Sequence, residues 1–158
     1  MRPKLQFSVP CLGYEEPNNV PCLLYLFYDL PFKEFPAPLA FHLANGWCGG
    51  QGTFNQSVKV VAPDRSEMLD TGNRDFTLDS PTKPFLSVFE FRIGLEKEGV
   101  YWIRTFLEGE LVMEVPFTVR LADPATLATA PPEAAVASPP APPPATSLQN
   151  PDQQFLMP

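Results

Sequence analysis

Residues 84–119 read PFLSVFEFRIGLEKEGVYWIRTFLEGELVMEVPFTV. Apolar residues are dense and often alternate, as in strands with one buried face. The pattern breaks at Glu96-Lys97-Glu98-Gly99 and again at Glu108-Gly109-Glu110, which predicts three consecutive β-strands. The last two form a hairpin with two possible registers. A two-residue turn at Glu108-Gly109 pairs Leu107 with Glu110, whereas a three-residue loop pairs Leu107 with Leu111, and one residue of slip exchanges the faces. The second register is preferred because it gathers Tyr101, Ile103 and Leu107 with Leu111, Met113, Val115, Phe117 and Val119. It turns Val100, Trp102 and Phe106 outward beside Arg104, as a patch covered by the chain itself or by a partner.

Upstream, Leu5–Leu12 reads as a first strand and residues 15–19 (EEPNN) as a turn. Val20–Leu30 (VPCLLYLFYDL) is apolar on both faces, as a central buried strand is. The prolines of residues 31–38 mark a crossing connection. Strands follow at Leu39–Trp47, Thr53–Val61 and Asp75–Leu78, with turns at residues 62–65 and 70–73. The expectation is an all-β antiparallel sandwich of seven to nine short strands. Nowhere does an apolar helical stripe persist for three turns.

The composition changes abruptly at Asp123. Residues 123–158 hold ten of the 21 prolines and, after Asp123, only two charges. Pro/Ala-rich sequence of this kind buries too little surface to order itself. The chain therefore divides into a domain at 1–122 and a disordered tail at 123–158.

With 18% charged residues, a net charge of −7 and no basic run, the chain is a poor nucleic-acid binder. No run approaches the length of a membrane span. The N-terminal apolar run is too short for a signal peptide. Three cysteines, odd in number and without a CxxC pair, point to a reducing cytoplasm rather than a disulfide-stapled fold.

Four soft-metal ligands stand out: Cys11, Cys22, Cys48 and His42. A hairpin turning at residues 14–19 would set Cys11 opposite Cys22, and with Cys48 and His42 they would make a set suited to zinc. The spacing matches no zinc motif, and plain thiols are the preferred reading, so no cofactor is expected. His42 is the only histidine and has no nucleophile in a recognisable motif. Carboxylates at 15/16, 96/98 and 108/110 fall in turns, and the glycines at 49, 50 and 52 precede a strand rather than a helix. The expectation is a protein without enzymatic activity.

A first strand closing on Cys11, an apolar strand ending Phe27-Tyr28-Asp29 and the Pro36-x-Pro-Leu entry to the next resemble an uncharacterised bacterial β-sandwich family. So does the pairing of Gly99-Val-Tyr101 with Glu108-Gly-Glu-Leu111 and Glu114-Val-Pro-Phe117. The family is known only as a domain of unknown function, and the resemblance covers roughly residues 4–120. It implies a bacterial, cytoplasmic, immunoglobulin-like β-sandwich, in which a Tyr after Gly-x commonly anchors a corner. It brings no activity.

Function is thus expected to be binding, to another protein or to itself, through the Trp102 and Phe106 face or a strand edge. The alternative lies at the C-terminus, where apolar character returns. Gln153, Phe155, Leu156 and Met157 form a short cluster on a leash, the usual display of a linear motif. It loosely resembles the Gln-x-x-Leu-Phe peptides that dock on the bacterial replication sliding clamp, with Met157 where Phe is usual.

Overall fold

The computed structural model describes residues 1–127, and they form two packed β-sheets. Ten strands follow in chain order: β1 (Lys4–Glu15), β2 (Cys22–Leu26), β3 (Asp29–Phe32), β4 (Ala37–Cys48), β5 (Gly52–Val61), β6 (Glu67–Asp70), β7 (Arg74–Leu78), β8 (Phe85–Leu95), β9 (Gly99–Leu107) and β10 (Glu110–Leu121). One sheet has the order β2-β1-β4-β8; the other runs β3-β10-β9-β5-β6, with β7 also paired to β5. All pairs are antiparallel except β3 with β10.

Alternation builds the core. Along β8, Phe89, Phe91, Ile93 and Leu95 face inward while Glu90, Arg92 and Gly94 face out. Leu39, Phe41 and Leu43 of β4 do the same, and meet Val58, Val60, Tyr101, Ile103, Phe117 and Val119 from the other sheet. Trp47, Phe76, Leu78 and Leu107 make a second apolar cluster. Between the two clusters lies a belt of buried polar side chains: Ser8, Asn45, Gln56 and Thr105, with half-buried Ser87. The belt also shows how the sheets face each other. Ser8 of β1 and Asn45 of β4 each reach Thr105 of β9 at 3.5 Å, and Ser87 of β8 donates to Gln56 of β5 at 3.1 Å.

The hairpin reconciles the two registers. Glu108 and Gly109 both have positive φ (51° and 78°), and they close a two-residue turn that pairs Leu107 with Glu110. An extra residue between Leu111 and Met113 then shifts the ladder, so that Ile103 faces Val115 and Tyr101 faces Phe117. The preferred register holds below the bulge. Leu111, above it, is 44% exposed and not in the core.

Other expectations are corrected. Val20–Leu30 is not one central strand. It splits into edge strands of different sheets, with Tyr25 at φ 56° and the chain crossing at Phe27-Tyr28. Of the prolines expected outside any ladder, Pro31 lies inside β3, where an edge position tolerates its missing N–H, and Pro38 lies inside β4, opposite Gly94 of β8. The first strand runs on to Glu15, so the turn begins one residue later than expected. Residues 67–70 form a strand the alternation does not announce. Among the described residues there are ten strands rather than seven to nine. Of the expected disordered tail at 123–158, Pro124–Leu127 instead form one short helical turn, and residues 128–158 lie outside those described. Among the described residues, no helix is long and apolar enough to cross a membrane.

Candidate functional site

Strand edges differ sharply in how they are guarded. β2 and β7 have five residues, β3 and β6 four, and β3 carries a proline. Short edges and prolines limit pairing with other chains. β8 is the exception. It runs eleven residues, pairs without a bulge from Phe85↔Trp47 to Leu95↔Ala37, and contains no proline and no inward charge. Its far side has no strand partner among the described residues. The Glu90 and Arg92 side chains, both on the outer face, pair with each other at 3.0 Å.

The space beside this edge is shaped by the opposite sheet. Asn45 of β4 reaches Thr105 of β9, Ser87 of β8 reaches Gln56 of β5, and buried Phe76 of β7 packs on Phe85 of β8 and Trp47 of β4, so that β7 lies against β8 along its open edge. The inward side of β6 and β7 is apolar at both ends. Phe76 of β7 stacks on Phe85 at 5.3 Å, while Met68 and Leu69 of β6 pack partly buried against the main cluster. Between these ends lies Arg74, whose guanidinium sits 5.0 Å from the centre of the Phe89 ring. Arg74 is exposed and makes no ion pair among the described residues. Beside the bare β8 edge therefore stand partly buried Met68 and Leu69 and the exposed guanidinium of Arg74. On the outer face, half-exposed Leu86 and Val88 continue into Val9 and Phe7, whose ring covers Gly46. Sequence reasoning named edges in general; what singles out β8 is the strand count of each sheet, which no local pattern carries.

Trp102 and Phe106 lie on the outer face of the other sheet, as the register required, and each is half-buried. Trp102 sits between Val61 and Pro116 with the Arg65 guanidinium 6.0 Å from its ring centre, and Lys59 Nζ is 6.0 Å from that of Phe106. Between the aromatics runs a row of charges, in which Lys59 pairs with Glu67 and Asp70 at 2.8 and 2.9 Å and Arg104 with Glu114 at 2.6 Å. The chain thus covers part of this patch itself. Ser57, Lys59, Asp70, Asn73, Arg104 and Phe106 border a shallow depression of about 580 Å³ over it. Gln153, Phe155, Leu156 and Met157 lie outside the described residues.

The four soft ligands do not converge. Cys22 pairs with Glu15 and Cys11 with Leu26, because the turn lies two residues later in the chain than expected, at 16–21 rather than 14–19. Cys48 faces Lys4 at the far end of β4, while Cys11 faces His42. Cys11, His42 and Glu90 instead form a row across β1, β4 and β8. It holds the residue types of a nucleophilic triad without its contacts. The Cys11 thiol is fully buried, and that burial pushes its pKa up, away from the reactive thiolate. His42 Nδ1 has no hydrogen-bond partner among the described residues, and Glu90 is turned to Arg92.

Residues 8–120 match DUF6941, a family of unknown function. No curated protein matches the chain. Among solved structures, the alkylpurine DNA glycosylase AlkC of Pseudomonas fluorescens, bound to DNA containing an abasic site analog, is similar with a TM-score of 0.41 and 11% identity. The likeness covers 59% of this chain and 28% of that one, so the chain spans little more than a quarter of AlkC.

Proposed function

We propose, for a chain that belongs to the DUF6941 family of unknown function, a non-enzymatic role in protein recognition: capture of an extended polypeptide segment along β8. The observation that carries this reading is the regular eleven-residue edge of β8, which has no strand partner among the described residues. Main-chain hydrogen bonds to the edge supply affinity, and Met68, Leu69 and Arg74 beside it select alternate side chains. An immunoglobulin-like sandwich is the finer fold reading. It is supported by the parallel β3–β10 pair and by Tyr101, whose Oη donates to the Lys97 carbonyl at 2.7 Å near the start of β9. The three free cysteines support a reducing, cytoplasmic setting.

The second reading places recognition on Trp102 and Phe106, favoured by their incomplete cover and by Val100 at 40% exposure. One experiment separates the two. Peptides selected by display against the full chain should protect β8 amides from hydrogen exchange and lose binding in Val88→Lys. Protection along β9, with binding lost in Trp102→Ser, would place recognition on the other sheet. Binding lost only on removal of residues 124–158 would assign it to the C-terminal cluster.

A further inference from the structure

We infer that the segment captured by β8 carries an acidic side chain on its inward face, followed at alternate positions by apolar ones, and that it arrives as a bare strand. The inference rests on the β8 reading above. Position along the flank follows from observed contacts. Phe85 stacks on Phe76, Phe89 lies under Arg74, and Arg74 and Phe76 are alternate inward residues of β7. Continuing in the same direction along β5, Val60 pairs with Leu69 of β6, which packs with Met68 into the cluster containing Phe91 and Ile93.

A strand added beside β8 alternates its side chains between the inward and the outer face. Its inward residue next to Phe89 therefore meets Arg74. Its inward residues next to Phe91 and Ile93 meet Leu69 and Met68. Arg74 is desolvated on one side by the Phe89 ring and has no carboxylate partner among the described residues, so an incoming carboxylate gains a charge-assisted bond without breaking another. An incoming lysine there would meet like charge.

The occupant cannot be the β8 of a second copy paired in the same sheet. That strand would bring its own β5 beneath it, into the space that β6 and β7 already fill. A segment with no sheet on its inward side fits, as an extended loop or terminus does.

The test titrates isotope-labelled full-length protein with two short synthetic peptides. Each alternates threonine with three inward positions: glutamate-valine-isoleucine in one, lysine-valine-isoleucine in the other. The glutamate peptide is expected to shift β8 resonances and to bind about fivefold or more tightly than its lysine counterpart. Arg74→Glu should reverse that preference, and Arg74→Lys should retain it; the exposed position leaves the rest of the spectrum as a control for folding. Binding along β8 without charge preference would overturn the acidic rule and leave strand capture standing. If neither peptide shifts β8, both fall. A β8 edge protected from exchange in the full chain, and released in one ending at Asp123, would overturn the external partner in favour of the chain's own C-terminal residues.

Discussion

The indole Nε1 of Trp47 donates to Oε1 of Gln56 at 2.9 Å, with both side chains buried. The same oxygen accepts from Ser87 Oγ, so one amide joins β4, β5 and β8 across the two sheets. Gln56→Leu keeps the approximate volume but leaves two donors without an acceptor, one of them fully buried. The expected cost is about 2–4 kcal/mol. Urea unfolding should show a lower midpoint at unchanged slope. A neutral result would mean that the belt is not what aligns the sheets.

Gly99 has φ 143°, and a Cβ there would lie 2.7 Å from Cγ of Pro63. Gly99→Ala combines an unfavourable backbone with a clash against a rigid ring, and should destabilise by about 2–3 kcal/mol. Tyr101→Phe, two residues on, removes only the bond to the Lys97 carbonyl and should cost about 1 kcal/mol. Thermal unfolding of the two variants should preserve that order.

Trp102 and Phe106 are half-buried, each beneath a cation, rather than part of either apolar cluster. The double variant Trp102→Ser/Phe106→Ser should fold, with a loss of about 1–2 kcal/mol per side chain. Near-ultraviolet circular dichroism, dominated by buried Trp47, should persist. Its disappearance would move both residues into the core.

Asp70 is held below its ordinary pKa of 3.8, first by the Lys59 ammonium and then by the Gly72 amide. Its stabilising effect is complete above pH 3.8 and lost as pH falls through the lowered value. Lys59 is held above 10.5 by Glu67 and Asp70, so its effect is complete below that pH and lost only on further alkalinisation. The β5–β6 pairing should therefore be insensitive to pH between these limits. The amide shift of Gly72 should titrate with a midpoint under 3.8; a midpoint at or above it would mean that the ion pair does not form in solution.

Much of the architecture was legible where one side chain period governed, as in β8, where Phe89, Phe91 and Ile93 alternate with Glu90 and Arg92. The body of the last hairpin was legible for the same reason, and its tip was not, because a bulge at Val112 lets two registers coexist. Val20–Leu30 misled for a different reason. Hydrophobicity does not report a change of sheet, and here the signal lay in backbone angles at Tyr25 rather than in composition. The polar belt was also hidden. Ser8, Asn45, Gln56 and Thr105 look like surface positions until four strands bring them to one level. Of the candidate site, the sequence offered the outward aromatics but not Arg74, whose significance comes from the width of one sheet relative to the other.

The parallel pairing of β3 with β10 has a consequence for synthesis. Asp29 waits for Thr118, and its carboxylate for Arg120. A nascent chain therefore presents β3 as an unmatched ribbon until almost the whole domain has left the ribosome. Closure of this sheet is a late event, set by the arrival of the last strand. Any chain terminated before residue 110 would leave β3 without its strand partner and β9 paired on the β5 side alone.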